Sequence, residues 1–153
     1  MKQTRINPQM VMVGWREWVV LPELGIKAIK AKIDTGARTS ALHAFRVDVF
    51  EEAGKSRVSF DIHPVQGKDK PVISCVADLL DQRMITDSGG HREMRFVIKT
   101  QVVLGQWQWP IETTLTNRDD MTFRMLLGRT ALRPHLMVNP GVSFLQGRLK
   151  GCD

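Results

Sequence analysis

Ile29-Lys30-Ala31-Lys32-Ile33 alternates apolar and basic residues and runs straight into Asp34-Thr35-Gly36-Ala37. A period of two puts Ile29, Ala31 and Ile33 on one face of a strand and Lys30 and Lys32 on the other. A half-buried strand of this kind holds the turn at its end in a fixed place, and with it the Asp34 carboxylate. Gly36 lets its backbone amide approach that carboxylate with no Cβ in the way. Thr35 offers a hydroxyl that can lock the turn to neighbouring backbone. Asp, Thr and Gly are all common turn formers, so the triplet alone reads equally well as a plain tight turn.

The rest of the chain keeps mostly to the same period. A first strand region runs from Val11 to Leu21 and is closed by Pro22 and Gly25. Beyond the Asp34 turn, Phe45, Val47 and Val49 alternate with Arg46, Asp48 and Phe50; Glu52-Ala53-Gly54-Lys55 is a hairpin turn, and Val58, Phe60 and Ile62 run back. Gly67 to Pro71 is another turn. Strands are expected at Pro71–Ala77, Arg83–Ile85 and Met94–Leu104, with Asp87-Ser88-Gly89-Gly90 as a hairpin tip. Trp107, Trp109, Ile111, Thr113 and Leu115 alternate cleanly. Same-face tryptophans on a strand usually pack against a core or sheet face; lining a substrate groove is the other reading. Asn117 to Asp120 turns the chain into Met121–Leu127. Arg129–Leu132 is the one expected helix, ended by Pro134, and Met137-Val138 and Val142–Leu145 are expected as short terminal strands. The fold class is all-β, a closed barrel-like lobe with one short helix near the C-terminus.

A chain of 153 residues can bury a substantial core. It reads as a single domain over 1–153, with its core at about 11–146. With 42% hydrophobic and 25% charged residues it has the composition of a soluble globular protein. No apolar run approaches the roughly 20 residues that span a bilayer, and the N-terminus has no secretory pattern, so a cytoplasmic setting is expected. Cys75 and Cys152 make no disulfide framework. Cys75 lies in an apolar run and is expected to be a buried thiol, and Cys152 an exposed one. The net charge of +6 suits an acidic partner. Lys27, Lys30 and Lys32 alternate with apolar residues, as on a solvated strand face, and there is no long basic tract. Nucleic acid is therefore not expected as the primary ligand.

Far downstream of Asp34 comes Met125-Leu126-Leu127-Gly128-Arg129. An Asp-Thr-Gly turn on a buried strand followed by a later Leu-Leu-Gly-Arg resembles a retropepsin-like aspartic peptidase lobe. The resemblance extends to a bacterial family long labelled ATP-dependent zinc proteases, which includes the RimB-like proteins linked to RimK-type glutamate ligases. It covers roughly Val13 to Leu145 and rests on Ile33 to Ala44, on Trp109-Pro110-Ile111-Glu112 with Leu115-Thr116-Asn117-Arg118, and on Met125 to Arg129. It implies a retropepsin-like, acid-protease fold with Asp34, Thr35 and Gly36 catalytic. It further implies that Ala37 lies beneath the substrate and that a flap around Asp87 to His91 closes over it, so that Ser88, Gly89 and Gly90 contact substrate.

An aspartic peptidase needs two carboxylates sharing one proton, because like charges about 3 Å apart cannot both ionise. Asp87-Ser88-Gly89 is the other Asp-x-Gly turn, but it lacks its own Leu-Leu-Gly element and reads as a hairpin tip. The dyad is therefore expected from Asp34 of two copies across a two-fold axis. The reading is a homodimeric aspartic endopeptidase acting on protein or peptide, linked to glutamate-tagged ribosomal protein and to a RimK-type ligase or ribosomal partner. The alternatives are a non-catalytic module that binds an acidic protein and, less favoured, a zinc-dependent hydrolase. His43, His63, His91 and His135 are scattered and form no His-Glu-x-x-His motif, and no Gly-x-x-x-x-Gly-Lys-Ser/Thr loop is present. No metal ligand and no cofactor are assigned, with His43, near Asp34, the nearest candidate ligand.

Overall fold

A computed structural model of the chain describes residues 11–86, 89–117, 122–132 and 136–147. The alternation becomes strands β1 (Val11–Val13), β2 (Arg16–Leu21), β3 (Ile26–Ile33), β4 (Ser40–His43), β5 (Phe45–Glu52) and β6 (Lys55–Ile62). They are followed by β7 (Ile73–Thr86), β8 (Arg92–Leu104), β9 (Trp107–Thr116), β10 (Met125–Leu127) and β11 (Leu136–Val138). A short helix, α1, spans Arg129–Leu132, and a single 3-10 turn covers Pro22–Leu24.

Strands β2, β3, β10, β4, β9 and β8 pair in that order, and Val20 of β2 meets Val103 of β8 to close the ring. Closure removes the free edges that an open sheet of this length would expose. Inward residues fill the barrel: Leu21, Ile26, Ile29, Leu42, Leu104, Met125 and Leu127 are fully buried. Ile26 and Ile29 are three apart, an odd spacing for one face of a strand. A register shift between Val19 and Leu21 on β2 accommodates it.

β7 belongs to two sheets. Its first part, from Ile73 to Asp78, pairs with β6, and β5 pairs on the far side of β6. Its second part, from Leu79 to Thr86, pairs with β8 and projects as a hairpin. Pro71–Ala77 and Arg83–Ile85, expected as separate strands, are thus one continuous strand. A register shift between Leu79 and Asp81 marks where β7 passes from the β5–β6 sheet to the β8 hairpin.

Other differences from expectation are local. The first strand region breaks at Gly14-Trp15, where a Cβ on Gly14 would run into the carbonyl of Val142. β4, within Ser40–His43, was not anticipated, because all its residues are buried and it shows no alternation. Val142–Leu145 is an irregular strap along β2 rather than a strand: Trp15 N–H donates to Val142 O at 2.9 Å and Phe144 N–H to Arg16 O at 2.8 Å. Its anchor is Glu17, fully buried, whose carboxylate accepts the backbone N–H groups of Gly14 (2.6 Å), Leu145 (2.9 Å) and Gln146 (3.0 Å). Arg129–Leu132 is helical and Cys75 is buried, both as expected. Asp87, Ser88, Cys152 and His135 lie outside the described residues. Among the described residues no helix is long and apolar enough to cross a membrane.

Candidate active site

β3 ends at Ile33 and β4 begins at Ser40, and β10 is inserted between them. It runs parallel to β3, with Leu127 beside Ile33, and antiparallel to β4, with Leu126 beside Ala41. The Asp34 loop therefore straddles the end of β10 and is hydrogen-bonded to it. Asp34 N–H donates to Leu127 O at 2.9 Å, and Ala37 N–H closes the turn on Asp34 O at 3.2 Å. The first amides of α1 are used the same way: Arg129 N–H donates to Ala37 O (2.7 Å) and Thr130 N–H to Arg38 O (3.0 Å). From below, Gly128 N–H donates to Ser40 Oγ at 3.1 Å. A Cβ on Gly128 would stand 2.7 Å from the carbonyl carbon of Thr39, so only glycine fits there.

Gly36 N–H donates to Asp34 Oδ1 at 3.0 Å, and a Cβ on Gly36 would crowd that oxygen at 3.3 Å. The carboxylate is half-buried and faces an open cleft of about 1360 Å³. Asp34, Gly36 and Ala37 line this cleft. Thr35 is exposed beside it, its carbonyl taken by Arg129 Nη1 at 3.1 Å. The hairpin of β7 and β8 overhangs the cleft through Arg83, Met84, Ile85 and Thr86 on its first arm. Gly89 and Gly90 are exposed at the tip and do not line the cleft, and Ser88 lies outside the described residues.

Cations dominate the lining: Lys32, Arg38, Arg83, Arg95, Lys99 and Arg129 against Asp34 and Glu112. Arg83 Nη1 reaches Glu112 at 3.0 Å and its Nε reaches Asp81 at 2.8 Å. Asp81 accepts from Arg83 and from the Gln82 amide, which together hold its carboxyl below the usual range. Sequence reasoning missed this basic lining. Its members are spread over three strands, the loop after Asp34 and the short helix, and on each they look like ordinary solvated residues. The available signal was Arg95, a charged residue between Met94 and Phe96 in an apolar strand.

Trp109 packs against the core and its indole N–H donates to Ala131 O at 3.1 Å. Neither Trp107 nor Trp109 lines the cleft, in line with the packing reading. His43 is buried on β4 opposite Thr116, and His63 stacks on Phe45. Among the described residues no group of three His, Cys, Asp or Glu side chains comes together as a metal site.

The family model for the retropepsin-like aspartic endopeptidase RimB matches residues 12–149. This chain belongs to the RimB-like family. A protein of Desulfotalea psychrophila named a probable alpha-L-glutamate ligase is 44% identical over 138 residues. One of the same name from Parasynechococcus marenigrum is 46% identical over 140 residues. These matches cover 90% and 92% of this RimB-like chain, which spans only 30% of the length of either relative. Among solved structures, a Legionella pneumophila protein of unknown function superposes with a TM-score of 0.77 at 24% identity, covering 92% of this chain and 99% of that one. That likeness concerns the fold, which is the retropepsin-like barrel.

Proposed function

We propose that this RimB-like chain is an aspartic endopeptidase of the cytoplasm whose catalytic dyad is Asp34 from two copies. The observation that carries the reading is the Asp34 turn: a carboxylate oriented by the Gly36 amide and fixed to the end of β10, facing a cleft large enough for a peptide. In the dimer one Asp34 carboxylate is ionised and takes a proton from a water lying between the pair. Its neutral partner donates a proton to the carbonyl oxygen of the scissile peptide, and the water oxygen attacks the carbonyl carbon. Collapse of the tetrahedral species returns a proton to the leaving amine and restores the shared proton. Thr35 and Gly36 hold the turn, Ala37 leaves room for the substrate backbone, and the hairpin carrying Gly89 and Gly90 closes over it.

The excess of cations in the cleft supports an acidic segment as substrate. The relatives' name of glutamate ligase, on chains about three times as long, supports a glutamate-modified protein such as a ribosomal protein as its source. It also supports a RimK-type ligase as partner. The same basic lining favours a second reading, a non-catalytic module that binds such a segment.

Cleavage and binding of a glutamate-rich peptide, measured side by side on wild type and Asp34→Asn, separate the two. The peptidase reading expects cleavage by wild type that falls by about two orders of magnitude or more in the variant, with binding retained. Specific activity should also fall on dilution as the dimer dissociates. Wild-type turnover from Asp34→Asn, or full activity from a monomer, would refute the trans dyad. Binding by both proteins with cleavage by neither favours the module.

A further inference from the structure

We infer that Arg95, seconded by Arg83, is the residue that selects a carboxylate on the chain bound in the cleft. This rests on the acidic-substrate reading above and assigns it to particular side chains. Arg83 and Arg95 stand directly opposite each other in the β7–β8 hairpin, so their side chains share a face, and both line the cleft. Two like charges opposed across a strand pair destabilise it unless anions compensate them. Here carboxylates compensate both, and what is left over is N–H donors rather than charge. Arg83 is paired with Asp81 and Glu112, and Arg95 Nε with Glu93 at 3.2 Å.

Arg95 is the more constrained of the two. Its side chain is 8% exposed, a rare degree of burial for a guanidinium, and the cleft is where it is reached. A guanidinium carries five N–H donors, and Glu93 and the Thr114 hydroxyl (3.4 Å) engage two of them. The supports are themselves held. Thr116 Oγ1 donates to Glu93 at 3.0 Å, and Thr114 Oγ1 donates to Ser40 O at 3.2 Å, leaving its lone pair for Arg95. Ser40 Oγ in turn accepts Gly128 N–H, so hydrogen bonds run from Arg95 to the framework that carries Asp34. A planar donor fork fixed in orientation and aimed into a peptide-sized cleft matches a carboxylate, which accepts two parallel N–H bonds. Lysine at this position would supply the charge without the fork.

The test uses a short oligoglutamate peptide, a set of its single glutamine replacements and its C-terminal amide. Each is bound to Asp34→Asn protein with and without Arg95→Gln, and each is cleaved by the Asp34 enzyme with and without the same change. One glutamine position is expected to weaken binding and kcat/KM by about 10- to 100-fold in the Arg95 protein and by little with Arg95→Gln. If instead only the amide shows this coupling, the carboxylate read is the chain terminus rather than a side chain. Equal losses on every peptide, or glutamine discrimination that survives Arg95→Gln, would overturn the proposal. Thermal unfolding of Arg95→Gln/Glu93→Gln guards against a folding defect, since it removes both members of the pair. Coupling in the binding arm without cleavage by any protein would sink the peptidase reading and leave Arg95 as the selecting residue.

Discussion

Arg129 Nη1 donates to the backbone carbonyl of Thr35 at 3.1 Å, so the residue after Gly128 grips the turn that presents Asp34. The contact joins two segments far apart in sequence, and it is made by an exposed side chain, so its value for folding is small. Its value for geometry is larger, because the Thr35 carbonyl lies between Asp34 and the Gly36 amide that orients the carboxylate.

Arg129→Met should therefore separate stability from activity. The loss in urea unfolding is expected at about 1 kcal/mol or less. Turnover of a cleaved peptide should fall about tenfold or more through misplacement of Asp34. A variant whose turnover matches wild type would show that the turn is held without this contact.

Gly128→Ala is expected to cost about 1–3 kcal/mol or more, since the new Cβ meets the Thr39 backbone at 2.7–2.9 Å and no flexible side chain can yield. Gly54→Ala is the control. Gly54 sits at φ +80° with nothing within 4 Å, so only the left-handed backbone is penalised, by about 1–2 kcal/mol. Denaturant melts in which Gly128→Ala cost less than about 1 kcal/mol would contradict the packing described.

Glu17→Ala strips a buried acceptor from three backbone amides and loosens the end of the strap at Leu145 and Gln146. At about 1–3 kcal/mol for each unsatisfied buried amide, relieved in part by water entering the vacated space, the expected loss is at least about 3 kcal/mol. Faster hydrogen exchange at Leu145 and Gln146 should accompany it. Protection there equal to wild type would mean that the strap is held by other contacts.

Burial, with a further push from the Asp61 charge, raises the Cys75 thiol from its ordinary 9.0 to about 11. The native thiol should react with a thiolate-directed reagent at neutral pH about a hundredfold more slowly than in the unfolded chain, on ionisation alone. The sign of the linked stability follows. Below pH 9 both states hold the proton, and between about 9 and 11 only the folded state keeps it. Stability from this group is thus complete below pH 9 and is lost as pH rises to about 11, by up to about 2–3 kcal/mol. A Cys75→Ser protein whose alkaline unfolding curve matches wild type would count against this.

Much of this molecule is legible from local pattern. Ile29, Ala31 and Ile33 face the core as their period demands, Ala53-Gly54 turns a hairpin, and Arg129–Leu132 is helical ahead of Pro134. β4 was hidden because a strand buried on both faces has no alternation to show. The unity of β7 was hidden because Asp78, Asp81 and Gln82 look like a polar break, whereas they are solvated positions where the strand passes from one sheet to the other.

By itself the sequence determined that Asp34 ends a half-buried strand in a glycine turn, and that a Leu-Leu-Gly-Arg follows downstream. Side-chain alternation and backbone permissiveness act over a few residues, and both are written there. Only the tertiary structure decided that Leu127 lies beside Ile33, that Glu17 anchors the terminal strap, and that Arg83 and Arg95 face one cleft. Those relationships join positions whose chain separation leaves no local trace. They arise because closing the barrel and burying its core choose strand neighbours by mutual fit, and a charged residue takes its meaning from the neighbours it is given.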